Sequence, residues 1–173
     1  MTGYVALLRS VNLLGNSTLK MAQLRAIAEE VGLGSPRTFI ASGNLLFTSK
    51  LAEAELRRTL EQRLEAHMER SVKVIVRTAD EMELVHRTNP FPDVAGNNVL
   101  AFFLNDPAPA DLLATIRNLS HDERIVVGRR EVYVAYGERG IGRSRLKIPA
   151  AEAGTARNMN TVAKLAVLAR ELE

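Results

Sequence analysis

Apolar and polar positions alternate along this chain with two recurring periods. Tyr4 to Leu8 is an apolar run of strand length. Met21, Leu24, Ile27, Ala28 and Val31 follow at helical spacing, and Gly32 with Gly34 predicts where that helix stops. Arg37 to Ala41 reads as a strand, Ser42-Gly43-Asn44 as a tight turn, and Leu45 to Thr48 as the hairpin partner. Leu56, Leu60, Leu64 and Met68 recur every four residues, which predicts an amphipathic helix from about Ala52 to Arg70. The β-branched run Val72 to Val76 closes this half as a strand. The order βαββαβ is that of the ferredoxin-like split βαβ unit.

A second pass follows. Asp80 to Arg87 has helical spacing, and Asn89-Pro90-Phe91-Pro92 ends it. Val99 to Leu104 reads as a strand. Leu112, Leu113, Ile116 and Leu119 predict a helix entered from Pro109 and Asp111. Arg124 to Val127 and Glu131 to Tyr136 read as a hairpin around Gly128-Arg129. Helical material then runs to Glu173, with Val162, Leu165, Leu168 and Leu172 on one stripe. The expected fold class is α+β, built from two tandem ferredoxin-like (βαββαβ-type) subdomains. The first spans 1–90 with a linking helix and the second 91–173 with C-terminal helices, the boundary falling near Phe91 to Asn97. The halves share an order of elements but no residue-level repeat.

Composition narrows the chemistry more than the fold. The 173 residues include no cysteine, which excludes a disulfide framework, a thiolate metal site and a cysteine nucleophile. No basic segment followed by a long apolar stretch opens the chain, and no apolar run reaches the roughly 20 residues of a membrane span. A soluble, cytoplasmic protein with no membrane partner is expected. His67, His86 and His121 stand apart, without metal-ligand spacing, so no metal is expected. Aromatic residues make up 5% of the chain and lack the strand pattern of single-stranded RNA readers. Charge is uneven. Arg124 to Lys147 holds seven basic and two acidic residues, against a net charge of +3 for the whole chain.

That basic segment contains the densest candidate site. Gly140 and Gly142 give the backbone access to positive φ and to close ligand approach, and successive N–H groups in such a bend form an anion-binding concavity. Arg143 and Arg145 supply charge and bidentate geometry, and Ser144 a hydroxyl. A second element lies just beyond, at Arg157-Asn158-Met159-Asn160-Thr161. Asn158 or Asn160 is suited to cap the last helix, and a helix N-terminus holds anions. Here Arg157 joins the charge clamp, and Asn158, Asn160 and Thr161 serve as polar contacts. Capping alone also accounts for the asparagines, and a solvated face for the arginines. A possible second loop gathers Arg9, Asn12, Asn16, Ser42 and Asn44.

These residues resemble a bacterial family of unestablished activity, the domain of unknown function family 1697. The resemblance rests on Tyr4-Val5-Ala6-Leu7-Leu8-Arg9 with Asn12 and Gly15-Asn16, on Met21 and Leu24, and on Ser42-Gly43-Asn44. It continues through Asn89-Pro90-Phe91, Tyr136, Gly140-Ile141-Gly142-Arg143-Ser144 with Leu146, and Arg157-Asn158 with Asn160-Thr161-Val162. Ser10 and Leu14 stand where that family usually has glycine, Met159 where it has tryptophan and Arg145 where it has lysine. The resemblance implies a tandem of ferredoxin-like subdomains and no particular substrate or cofactor. Three functional readings remain open: a binder of a small phosphate- or carboxylate-bearing ligand, an enzyme acting on a phosphorylated or acyl substrate, and a nucleic-acid module held through phosphates. The residues specify neither a reaction nor an oligomeric state.

Overall fold

The computed structural model describes residues 1–9, 11 and 18–173. They form two compact units: Met1–Glu83 together with Lys164–Glu173, and Leu84–Ala163. The described residues make a mixed α+β fold of two four-stranded antiparallel sheets and five α-helices.

The first unit contains β1 (Thr2–Leu8), α1 (Met21–Glu30), β2 (Gly34–Thr38), β3 (Asn44–Ser49), α2 (Glu53–Met68) and β4 (Val74–Thr78), and its sheet runs β2-β3-β1-β4. The apolar stripes decide how it closes. Leu24, Ile27 and Ala28 of α1 and Leu56, Leu60, Leu64 and Met68 of α2 are buried against Tyr4, Ala6, Leu8, Leu45, Phe47, Val74 and Val76 of the sheet. Each such large side chain stabilises the fold by about 1.5–3 kcal/mol. The alternate residues of the same strands, Val5, Leu7, Leu46 and Ile75, are buried on the other face, together with Arg77. A sheet buried on both faces explains why its strands read as continuous apolar runs.

The strand expected over Arg37 to Ala41 lies earlier, at Gly34–Thr38. Ile40 adopts φ 52° and cannot continue a strand. The Phe39 amide donates to the Asn44 carbonyl, closing a longer turn than the sequence suggested. The strand expected over Val72 to Val76 likewise sits two residues later, at Val74–Thr78.

The second unit contains β5 (Val99–Phe103), α4 (Leu112–Thr115), β6 (Arg124–Val127), β7 (Glu131–Ala135) and β8 (Thr155–Asn158), with strand order β6-β7-β5-β8. The division between the units falls within α3 (Ala79–Arg87) and within α5 (Met159–Arg170). Two expectations fail here. The helix predicted through Leu119 stops at Thr115, because Ile116 is extended (ψ 140°), Asn118 has φ 58°, and Arg117 pairs through its backbone with Lys147. Leu113 and Leu119 are therefore 61% and 51% exposed rather than buried. In addition, β8 occupies residues assigned to helical material. Thr-Ala-Arg-Asn carries no apolar run, yet it pairs antiparallel with β5.

A residue-level echo between the halves also emerges. Arg77 of β4 lies opposite Val5 of β1, and Arg157 of β8 lies opposite Ala101 of β5. Both arginines are buried. Each is followed by a residue that caps the next helix. Thr78 Oγ1 accepts from the Glu81 amide at 3.1 Å, and Asn158 Oδ1 from the Thr161 amide at 2.9 Å.

Burial also sets the alkaline behaviour. Tyr4, Tyr133 and Tyr136 are all held above the ordinary tyrosine pKa of 10.0, first by desolvation, and Tyr136 is pushed up to about 12 with the Glu123 charge adding to the effect. Between those values these tyrosines keep protons that the unfolded chain releases, so their contribution to stability falls as pH rises from about 10 to about 12, while that of Arg157, pulled down to about 10 by burial, changes the opposite way. Tyr136→Phe should remove the tyrosine's share, so that between about pH 10 and about pH 12 its denaturant midpoint changes less unfavourably than that of the wild type. A slope untouched by Tyr136→Phe would remove this residue as the cause.

Candidate functional site

Residues 136–152 make one continuous excursion from the second sheet. It begins at Tyr136, whose amide donates to the Asn98 carbonyl at 2.9 Å. It returns through Leu146, Ile148 and Ala151, which sit with Tyr136, Val132 and Val134 in the core of this unit. Between these anchors Gly140 adopts φ 67°, and Ile141–Arg143 form a single 3-10 turn.

Two neighbouring acids brace the loop from below. The Ser144 hydroxyl donates to Glu123 Oε1, and the same Ser144 Oγ accepts from the Leu146 amide at 3.2 Å. Glu123 Oε2 accepts from the Ser120 amide at 3.0 Å. Asp122 lies so close to Gly137 that a Cβ there would come within 2.6 Å of the Asp122 Cβ. The Ser120 hydroxyl foremost, with the Arg139 amide among smaller contributors, holds the Asp122 carboxyl below the usual carboxylate range. Ser144 is thus engaged in shaping the loop.

Beyond the 3-10 turn the chain is extended, with Ser144 at φ −67°, ψ 138° and Ile148 at φ −118°, ψ 94°. Successive side chains of extended backbone point to opposite sides. Ser144, Leu146 and Ile148 turn inward, and Arg143, Arg145 and Lys147 are exposed. Arg145 and Lys147 therefore stand on one side about 6.5 Å apart, and Arg143 is exposed at the end of the 3-10 turn just before them. Backbone hydrogen bonds in both directions between Lys147 and Arg117 hold the ribbon in place. Among the described residues, the side chains of Arg143, Arg145 and Lys147 form no hydrogen bond or ion pair. The rest of the basic segment is partly committed elsewhere. Arg124 bonds Asp93 and lies 4.9 Å from the Phe91 ring centre, and Arg130 reaches the Asn105 carbonyl at 3.4 Å.

Next to the ribbon lies an open cleft of about 230 Å³, lined by Phe102, Leu146, Lys147, Ile148, Ala151 and Glu152. Nothing in the sequence pattern singled it out, because Phe102 is remote in sequence and reads simply as a strand residue. Glu123 was missed for a similar reason: an acidic residue in a turn resembles solvated surface.

The second predicted element is divided. β7 ends, β5 begins and β8 ends at the same end of the sheet. The first turn of α5 and the start of the 136–152 excursion are therefore separated only by β5, about 10 Å from β7 to β8. The 3-10 turn Gly96–Asn98 occupies the interval, and Gly96 lies against the Asn160 side chain. Asn158 caps α5 and Thr161 donates the capped amide, so both are engaged within the helix terminus. Arg157 lies elsewhere. It shares the sheet face of Ala101, whereas Phe102 and Ala156 face the cleft side. Its Nη1 donates to Thr155 Oγ1 at 2.9 Å and to the Ala156 carbonyl at 2.8 Å, and burial pulls its pKa down to about 10.

In the other unit, Asn44 is buried and donates to the Phe39 carbonyl (2.8 Å) and Ser42 Oγ (3.0 Å), bracing the β2–β3 turn. That turn lies beside the end of β1, where the Leu8 amide donates to the Gly43 carbonyl and the Arg9 amide to the Lys73 carbonyl. Arg9, Ser42 and Asn44 are therefore close in the fold. Asn12 and Asn16 lie outside the described residues. Among the described residues no group of three acidic or histidine side chains is placed to hold a metal, and no helix is long and apolar enough to cross a membrane.

Residues 1–133 match a family described as a protein of unknown function, DUF1697. A conserved bacterial protein, SP0830 from Streptococcus pneumoniae, has a similar fold. The TM-score is 0.80 at 23% sequence identity, covering 98% of this chain and 99% of that one. No curated protein matches the chain.

Proposed function

We propose that this chain, which belongs to the DUF1697 family, binds a small phosphate- or carboxylate-bearing ligand along Gly140 to Lys147. One observation carries the reading: Arg143, at the end of the 3-10 turn, and Arg145 and Lys147, on one side of the extended ribbon that follows, are all exposed with no carboxylate partner among the described residues. An arginine in water is ordinary. Inward anchors at Ser144, Leu146 and Ile148 fix the backbone that carries these cations, so less backbone freedom is lost when an anion docks. The Gly140, Arg143 and Ser144 amides already donate to the Gly137, Gly140 and Ile141 carbonyls, so the Ile141 and Gly142 amides are the donors of the bend left for the same ligand. Arg157, Asn158 and Thr161 support this site through the sheet and the helix cap rather than by direct contact.

The strand orders β2-β3-β1-β4 and β6-β7-β5-β8 support reading each half as a ferredoxin-like unit, with the first and third strands of the βαββαβ order at the centre and the second and fourth at the edges. In such a frame the ribbon replaces what would be a long helix between β7 and β8.

Titration with inorganic phosphate, pyrophosphate and small dicarboxylates tests the reading. Arg143→Ala combined with Arg145→Ala should weaken binding at least tenfold, or about 1.4 kcal/mol, without changing the unfolding midpoint. Wild-type affinity in the double variant overturns it.

A further inference from the structure

We infer that the ligand is a nucleotide, its base seated in the cleft beside Phe102 and its phosphates on the ribbon. This rests on the anion-binding reading above and adds to it the chemistry of the neighbouring cleft. Lys147 belongs to both features: it is the last cation of the ribbon and part of the cleft wall. Any ligand whose charge reaches Lys147 therefore has its uncharged part at the cleft mouth.

The walls discriminate between ligand bodies. Phe102, Leu146, Ile148 and Ala151 offer an aromatic ring and aliphatic surface but no side-chain hydrogen-bond partner. The several hydroxyls of a sugar phosphate would be desolvated there without compensation. A flat heterocycle loses little, since its faces are apolar and stack on an aromatic ring. The volume, about 230 Å³, is below the roughly 300–1,000 Å³ of sites that enclose a whole drug-sized molecule. It suits a single ring system, leaving ribose and phosphates outside over Lys147, Arg145 and Arg143.

Glu152 completes the recognition. It is an exposed carboxylate on the cleft lining, with no ion pair among the described residues. An anion is a poor neighbour for phosphate, but it accepts hydrogen bonds from the exocyclic amine of a base, the pairing by which glutamate reads cytosine N4. A plain acyl chain would fill the apolar wall and leave this acceptor unused. The pattern therefore favours amino-bearing bases. The cation spacing is equally compatible with a free nucleoside diphosphate and with the end of a single strand.

Calorimetric titration of the full chain with pyrophosphate, cytidine diphosphate, uridine diphosphate and a single-stranded oligocytidine resolves these cases. The diphosphates should bind roughly tenfold more tightly than pyrophosphate, from stacking of the base, with cytidine ahead of uridine. Ala151→Phe, which fills the cleft, should abolish that advantage and leave pyrophosphate binding intact. Glu152→Gln, on the exposed rim, should narrow the cytidine-to-uridine ratio, and this arm decides the matter if Ala151→Phe fails to fold. An oligocytidine that outbinds the diphosphate and weakens steeply with salt identifies a nucleic-acid strand as the source, and the reverse identifies the free nucleotide. Pyrophosphate binding as tightly as the diphosphates, or a base ratio unmoved by Glu152→Gln, overturns the inference and leaves the anion site standing. Absence of binding by every probe removes both.

Discussion

Arg157→Ala is expected to lower the unfolding free energy by about 3 kcal/mol while leaving the phosphate affinity of the folded chain at its wild-type value. The side chain is 8% exposed and satisfies the Thr155 hydroxyl and the Ala156 carbonyl from one nitrogen. Truncation removes those donors and opens a void. Burial draws the guanidinium pKa down to about 10, still far above neutrality, so the group stays charged and its desolvation is offset by its hydrogen bonds. Arg157→Lys should recover little, because an ammonium lacks the planar fork that donates from several fixed directions. Denaturant unfolding and phosphate titration of the same variant check both halves of the statement. A variant of normal stability with weakened phosphate binding would return Arg157 to the ligand site.

Gly154→Ala should cost a similar amount, about 3 kcal/mol, at the upper end of overpacking effects. A Cβ at this position would overlap the backbone carbonyl oxygen of Phe103 and approach its carbonyl carbon to 3.2 Å. The obstacle is main chain in β5, which the β5–β8 pairing fixes opposite Thr155, so no side-chain rotation relieves it. The control is Gly142→Ala, where no atom lies within 4 Å of the added Cβ and stability should stay within about 0.5 kcal/mol. Equal midpoints for the two variants would show that β8 moves freely against β5.

What the sequence made legible follows from where periodicity is strong. The stripe Leu56, Leu60, Leu64, Met68 predicted α2 to within one or two residues at each end, because four buried positions at one spacing leave a helix no alternative face. The Gly128-Arg129 hairpin was equally plain. Failures came where packing or pairing overrode composition. β8 is a strand because β5 offers it an edge, not because Thr-Ala-Arg-Asn prefers one. The apolar set Leu112, Leu113, Ile116, Leu119 suggested a longer helix, but the Arg117–Lys147 bridge claims the chain after Thr115.

The candidate site divides the same way. Gly140 to Arg145 stood out as a glycine–arginine cluster, and these residues do lie on one loop. Sequence proximity suggested Arg157 as a partner. One pleat of β8 sends its side chain to the face of Ala101, away from Phe102. The alternation of Arg145 and Lys147 with Leu146 and Ile148 was present in the sequence, but it had meaning only once the backbone after Arg143 proved extended rather than helical. The cleft could not be read from the chain at all, since its walls come from Phe102 and a segment more than forty residues later.

The four residues of β8 make opposite demands on neighbours. Arg157 must enter the interior, and Asn158 must reach the first amides of α5. A strand has a period of two, so one residue added or lost within Thr155–Asn158 would exchange these roles, carrying an amide inward and a guanidinium to the cap. Length variation among homologues should therefore avoid this stretch entirely.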